Sequence, residues 1–198
     1  MRLYHYYDKS TDPFKNLSDL DIEEAEIILN KLRSESKGFA RKRSKEYLGI
    51  RQELEEKARL LFIKKGGKPI RMAPHYMTLG SCPWLLEWFE NGCELSIPIE
   101  NFDPSIVSFT YGDLFPTMRV QDGKKYRSHV YSLDEINELV TELGFPQDWN
   151  PYGDKGPEPY IEAQIWDNNP LTQWMLRGTI VQSGTGSSPQ KLLPVPLQ

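Results

Sequence analysis

The chain has 198 residues, a formal net charge of −4, 38% hydrophobic residues and 26% charged residues. This length suits one domain, or one domain with a tail, that buries a core without disulfides or a metal. Two cysteines cannot form a disulfide framework, and the sequence shows neither an apolar leader nor a run of about 18 apolar residues, so we expect a cytoplasmic protein that does not enter a membrane.

The positive charge is concentrated in the segment 41–71, where eleven lysines and arginines face four glutamates. A basic face of this kind can attract phosphate groups. Glutamates one helical turn from a cation, such as Glu53 before Lys57, also fit an ordinary solvated helix. Segment 41–71 is therefore either a solvated helix surface or a surface for a phosphate-bearing partner.

The first part of the chain predicts one strand and two helices. Residues 2–7 are aromatic and β-prone, which predicts a strand. Asp21 can cap a helix over 22–35, in which apolar residues recur at helical spacing. Ser44 can cap a second helix, which Gly66 ends.

The stretch 70–92 is the most conspicuous in the sequence. Extended segments are predicted over 70–72 and 75–79, and a short helix with Ser81 as its N-cap follows. Cys82 at that helix start could be a nucleophile paired with a histidine, but a buried structural thiol explains it as well.

The part after residue 92 is richer in strands. Residues 94–99 and 106–111 predict two of them, and a hairpin across Asp122-Gly123 would pair 117–121 with 124–131.

A helix, a loop and a last strand complete the domain. Ser132 and Glu135 form a capping box that opens a helix ended by Gly144. Residues 146–159 are rich in proline and predict a loop, and 160–166 alternates apolar and polar side chains as a strand does.

These elements predict an α+β protein with a mostly antiparallel, twisted sheet and about four helices. A single globular domain would cover 1–180, followed by a flexible tail over 183–198 that is rich in glycine, serine and proline. The sequence does not indicate an oligomeric state.

No complete catalytic or cofactor motif is present. The sequence has no P-loop and no GxGxxG motif, and its cysteines and histidines are too scattered for a zinc site, so we expect no metal. His75 and His129 each precede a hydroxyl residue by three positions, which places the two side chains on opposite faces of a strand and disfavours a two-histidine phosphoesterase.

Two carboxylates lie in apolar surroundings and are the more informative candidates. Asp113 follows a predicted strand between aromatic residues, where it is either a turn residue that caps nearby amides or a functional group. Glu162 lies in the middle of a predicted strand, where glutamate is depleted, and is either solvent-facing or functional.

Three runs carry a resemblance to known proteins. APHYMTLG, IENFDPSIVSFTYGDLFPTMR and PYIEAQIWD resemble a group of Bacillus-type bacterial proteins for which no activity is implied. More distantly, an early strand with His5, a middle strand with Tyr76 and Thr78 and a late strand with Glu162 resemble the ADP-ribosyltransferase-like superfamily. The Ser-Thr-Ser form of that superfamily's middle motif is missing here.

The second resemblance implies a nucleotide-binding enzyme that uses NAD as co-substrate, with a nucleic acid or protein as acceptor. It implies that Glu162 and His5 are catalytic, with Glu162 binding the ribose and stabilising an oxocarbenium-like transition state. The implied cofactor-binding residues are Tyr76, Thr78, Arg71 and Arg119, the two arginines contacting the phosphates.

A non-catalytic module that binds a protein or nucleic acid is the alternative. Its support is the aromatic content of 12% and the basic cluster at 41–45. Affinity for NAD or ADP-ribose would distinguish the enzyme from the module.

Overall fold

The computed structural model describes residues 1–35, 44, 46–152 and 154–175. Its centre is one sheet with the strand order β3-β1-β2-β5-β4, in which every neighbouring pair is antiparallel. The strands are β1 (Arg2–Asp8), β2 (His75–Leu79), β3 (Gly92–Pro98), β4 (Val107–Tyr111) and β5 (Ile161–Ile165). The predicted α+β single domain with a mostly antiparallel sheet is confirmed.

In the part of the chain that the structure describes, the sheet is accompanied by the α-helices α1 (Ile22–Glu35), α2 (Tyr47–Lys64), α3 (Leu114–Arg119), α4 (Leu133–Leu143) and α5 (Pro146–Trp149). Asp21 accepts a hydrogen bond of 2.9 Å from the Glu24 amide at the start of α1, as predicted. The predicted capping box of Ser132 and Glu135 opens α4. Gly144 ends α4 with φ of 75°, a conformation that glycine adopts without steric cost.

Directly opposed residues of an antiparallel pair project to the same side of a sheet. The register of this sheet therefore collects apolar side chains on one face and polar side chains on the other. One face is apolar, carries the largest core cluster of the described residues and packs against α4. The other face carries polar side chains and is covered by α2 and α3, whose apolar residues pack with Tyr76 and Trp166. We call this second side the polar face; its strand residues include Tyr76, Thr78, Ser108, Thr110, Glu162 and Gln164.

The predicted hairpin across Asp122-Gly123 is wrong. Thr117 lies in α3, and the segment 124–131 forms no strand, only a single bridge between Tyr131 and Phe109. The Asp113 carboxylate accepts a hydrogen bond from the Phe115 amide and so starts a helix where the sequence pattern predicted an extended segment. The turn signal at Asp122-Gly123 gave no indication that the Asp113 cap starts a helix just before it.

Smaller differences also concern caps and short elements. Helix α2 begins at Tyr47 with Glu46 as its N-cap, so Ser44 is not the cap. Residues Pro83–Trp88 form a 3₁₀ helix, and its N-cap is Cys82 instead of Ser81. Residues 70–72 do not form the predicted strand, and the predicted loop over 146–159 contains α5. The predicted tail, 183–198, lies outside the described residues.

Candidate functional site

A cavity of about 660 Å³ lies on the polar face of the sheet, and we call it the site cavity. Ligand pockets commonly enclose about 300–1,000 Å³. Helices α2 and α3, strands β2 and β5 and the 3₁₀ turn Pro83–Trp88 all contribute to its walls. The polar side chains that line it include Ser44, Tyr47, Arg51, Tyr76, Thr78, Asp113, Arg119, Tyr160 and Glu162.

Glu162 is the most perturbed acid of the site cavity. Its side chain is on β5, and the residue is only 6% exposed, so the interpretation of Glu162 as solvent-facing is wrong. One carboxyl oxygen, Oε1, accepts a hydrogen bond of 3.1 Å from the Gln164 amide. Burial raises the pKa of Glu162 well above its ordinary value, and the nearby charge of Asp113 raises it further. The carboxyl group is therefore held in an environment that favours a compensating positive charge.

Asp113 combines a structural role with a place in the site. Its Oδ1 accepts from the Phe115 amide at 2.8 Å, which confirms the capping interpretation. Its Oδ2 accepts a hydrogen bond of 3.1 Å from the hydroxyl of Tyr160, which also lines the cavity. Hydrogen bonds donated to a carboxylate favour its charged form, so Asp113 is placed to present negative charge beside Glu162.

A buried ion pair forms another part of the cavity wall. Arg51 and Glu55, both on α2, are joined at 2.8 Å with side chains that are 2% and 3% exposed. The same Glu55 oxygen accepts a hydrogen bond of 2.6 Å from the Tyr76 hydroxyl, and the Arg51 guanidinium lies 5.0 Å from the Tyr76 ring centre. Since Tyr76 and Arg51 both line the cavity, the pair fixes this wall in place.

Aromatic rings form the remaining walls. Trp84 and Trp88 meet edge to face with ring centres 5.6 Å apart, and Trp84 lies 6.2 Å from the ring of Tyr160. On another side Tyr47 stacks on Phe115 at 5.2 Å. Such surfaces bind flat rings by stacking and exclude water from the carboxyl groups between them.

Four of the six predicted site residues meet in this cavity: Glu162, Tyr76, Thr78 and Arg119. Thr78 lies directly opposite Glu162 on the neighbouring strand, and its hydroxyl donates to the Gly80 carbonyl at 2.8 Å. Arg119 is exposed at the end of α3. The middle and late strands of the resemblance therefore do carry side chains that share a wall.

His5 does not share that wall. The β1–β2 register pairs Tyr4 with Thr78, so the neighbouring residue His5 projects to the opposite face from Glu162. Its Nδ1 lies 3.0 Å from the Tyr76 carbonyl oxygen, and its Nε2 accepts from the Phe14 amide at 3.0 Å. Burial lowers the pKa of His5 to about 4, so the ring is neutral at pH 7. The prediction that His5 and Glu162 act in one site does not fit this geometry.

Arg71 also lies elsewhere. Its guanidinium binds Asp19, the Asn168 side chain and the Ala73 carbonyl oxygen. Asn168 in turn contacts His75 Nε2 at 2.8 Å. These contacts tie the loop before β2 to neighbouring loops, and Arg71 is not among the residues that line the site cavity.

The basic segment 41–71 is partly used inside the protein. Arg51 is buried against Glu55, and Arg59 donates to the carbonyl oxygens of Pro69 and Arg71 at 3.1 Å. Residues 41–43 and 45 lie outside the described residues. A phosphate-bearing partner at this segment stays a prediction.

The thiol of Cys82 has a packing role. It belongs to a buried cluster with Tyr6, Leu85 and Phe89, and its amide donates to the Tyr6 hydroxyl at 2.6 Å. Burial raises the pKa of Cys82 to about 12, which disfavours the thiolate that a nucleophile requires.

Sequence reasoning missed several residues of the cavity. Arg51 was counted as one cation of a basic surface, and Trp84 and Trp88 were only part of a predicted short helix. The sequence signal for Arg51 was its place on the apolar stripe of α2, three residues before Leu54 and seven before Ala58, where an arginine needs a buried partner.

Within the described ranges, no group of three or more His, Cys, Asp or Glu side chains is arranged to hold a metal ion. No helix in the same part of the chain is long and apolar enough to cross a membrane. Comparisons of the chain with protein-family models, curated proteins and solved structures found no significant match.

Proposed function

We propose that this protein is an enzyme that binds NAD, or a related nucleotide with an N-glycosidic bond, in the site cavity and acts at that bond. The observation that carries the proposal is the buried Glu162 carboxyl beside Asp113 in an aromatic-lined cavity. This pair of acids would stabilise the positive charge that develops on the sugar when the bond to the ring nitrogen breaks.

The chemistry assigns one role to each group. The C1′–N bond breaks with its electron pair leaving on the ring nitrogen. A nucleophile, either water or an acceptor group, then bonds to C1′ and loses its proton to the solvent. Glu162 acts in its ionised form, hydrogen-bonded to the ribose, and the positive charge of the pyridinium ring and of the reacting sugar favours that form. Asp113 adds negative charge on the same side of the cavity.

The other walls match the remaining parts of such a substrate. Trp84, Trp88 and Tyr160 supply surfaces for a flat ring. Arg119 is exposed at the cavity wall, where its guanidinium can bind a phosphate in a bidentate manner. His5 and Arg71, which the resemblance implied for the same site, have no role in this proposal.

The first test is a thermal-shift panel of NAD, ADP-ribose, ATP, short single-stranded DNA and short RNA. A ligand at about one hundred times its dissociation constant stabilises by about 2.7 kcal/mol, which moves the Tm of a chain of this size by several degrees. We expect a shift with NAD or ADP-ribose. If only the nucleic acids shift the Tm, with a steep salt dependence, the non-catalytic binding module replaces the enzyme.

The second test measures release of nicotinamide from NAD by the wild type, Glu162→Gln and Glu138→Gln. Glu138 is an exposed glutamate on α4, and so controls for the loss of a carboxylate away from the cavity. We expect a loss of about a hundredfold or more for Glu162→Gln, the size found when one transition-state contact is removed, and no loss for Glu138→Gln. An unchanged rate in Glu162→Gln would refute the assigned role.

A further inference from the structure

A chain of buried side-chain hydrogen bonds leads to Glu162 along β4 and β5. Its members, Trp166, Ser108, Gln164 and Thr110, are each 0% exposed. Trp166 Nε1 donates to Ser108 Oγ at 2.8 Å, and Ser108 Oγ donates to Gln164 Oε1 at 2.9 Å. Gln164 Nε2 then donates to both Thr110 Oγ1 and Glu162 Oε1, each at 3.1 Å.

The donor-to-acceptor direction of this series of hydrogen bonds is fixed at both of its ends. The indole N–H of Trp166 can only donate, so Ser108 accepts from it and its own proton goes to Gln164 Oε1. The Thr110 hydroxyl donates its proton to the Gly112 carbonyl oxygen at 2.8 Å, so its oxygen is left to accept from Gln164.

If the oxygen and the NH₂ group of the Gln164 amide exchanged places, the hydrogen bonds on both sides of this amide would be lost. Its carbonyl oxygen would then face the Thr110 oxygen, whose proton is already used, and its NH₂ group would face Ser108, whose proton would lose its acceptor at Gln164. Both constraints therefore direct the Gln164 NH₂ group toward Glu162. A buried network in which every member has a partner holds its groups rigidly.

We propose that Gln164 is a positioning residue for Glu162, whose NH₂ group holds Oε1 as a hydrogen-bond acceptor and so sets the orientation of the carboxyl group. The backbone amide of Leu114 also hydrogen-bonds this carboxyl group. The consequence for a bound molecule rests on the proposed function, whereas the orientation of the carboxyl group by Gln164 does not. The β4–β5 register supports it, because Thr110 lies directly opposite Glu162 and Ser108 directly opposite Gln164.

The test follows the protonation of Glu162 by NMR of protein labelled with ¹³C at glutamate side-chain carboxyls. The Glu162 resonance is assigned by its absence in Glu162→Gln, and its titration midpoint is compared with that of Gln164→Met, which keeps the side-chain length without the amide. Because the lost hydrogen bond favours the ionised carboxylate, we expect the midpoint to move upward by roughly one pH unit or more.

Two threonine variants complete the set. Thr110→Val removes the hydroxyl that orients the amide and should move the Glu162 midpoint in the same direction by a smaller amount. Thr117→Val is the control, because it changes another fully buried threonine that is not part of this hydrogen-bond series. The Thr117 hydroxyl donates to the Tyr111 carbonyl oxygen, so this variant should leave the Glu162 midpoint unchanged. An unmoved midpoint in folded Gln164→Met overturns the proposal, and if that variant does not fold, an unmoved midpoint in Thr110→Val does so.

The NAD assay run in parallel separates this inference from the proposed function. If the midpoint moves but the wild type turns over no NAD or related nucleotide, the positioning role stands and the proposed function fails. If the wild type is active and the midpoint does not move, the function stands and the role of Gln164 fails. If both hold, the pH profile of kcat for Gln164→Met should shift together with the NMR midpoint.

Discussion

Replacing Arg51 tests the buried ion pair that forms one wall of the site cavity. In Arg51→Met the Glu55 carboxylate keeps the hydroxyl donors Ser18 and Tyr76 but loses the guanidinium 2.8 Å away. With side chains 2% and 3% exposed, neither group of the wild-type pair is hydrated to an extent that would compensate. Removing one partner of such a pair costs about 3–5 kcal/mol because the other charge stays buried.

For a chain of this size, 1 kcal/mol corresponds to a Tm change of about 2–4 °C, so Arg51→Met should lower the Tm by roughly 6–20 °C. The matched contrast is Lys125→Met, which breaks an exposed pair with Glu142 and should cost less than about 1 kcal/mol. Thermal unfolding followed by circular dichroism at pH 7 measures the Tm of each variant, and urea unfolding measures its free energy of unfolding.

The double variant Arg51→Met, Glu55→Leu closes a mutant cycle. We expect it to be more stable than Arg51→Met alone, because it leaves no buried charge at this position. If Arg51→Met costs no more than Lys125→Met, the charge of Glu55 is not buried in the way described, and the reasoning about this wall is wrong.

Three further changes test local features of the fold. Because the folded-state pKa of Glu162 is raised, the contribution of this one carboxyl group to stability falls as pH rises above about 4.3. Glu162→Gln should therefore gain in Tm relative to the wild type between pH 4 and pH 8, and a difference that is constant with pH would contradict the raised pKa. Gly112→Ala places a Cβ 2.8 Å from Thr117 Oγ1 at φ of +115° and should cost about 2 kcal/mol or more in urea unfolding, whereas Gly123→Ala, at φ of +76° with no atom within 4 Å, should cost less. Ser132→Ala removes the cap of α4 and should cost about 1 kcal/mol, and a cost near zero would show that the capping box adds nothing to stability.

The site was only partly accessible from the sequence. Glu162 was identified because a glutamate in the middle of a strand is unusual, and Tyr76 and Thr78 because the resemblance placed them on the middle strand of its motif order. His5 and Arg71 came from the order of segments along the chain, which does not specify the face on which a side chain lies. A shift of one residue in register reverses that face, and the pairing of Tyr4 with Thr78 directs His5 away from Glu162.

The sequence alone determined the features that depend on neighbouring residues. Alternation along β5 separated Ile161, Ala163 and Ile165 from Glu162 and Gln164, and the capping signals at Asp21 and Ser132 identified the starts of α1 and α4. These signals are local because a cap or a strand period involves groups only a few residues apart.

Only the tertiary structure decided that Glu162 is buried in a cavity and not exposed on an open sheet. That outcome requires α2 and the Asp113 turn, which are about one hundred and about fifty residues away in the sequence, to cover the same face of β5. Desolvation and charge proximity depend on distances in space, so the raised pKa of Glu162, including the part caused by the charge of Asp113, follows from packing that no local pattern contains.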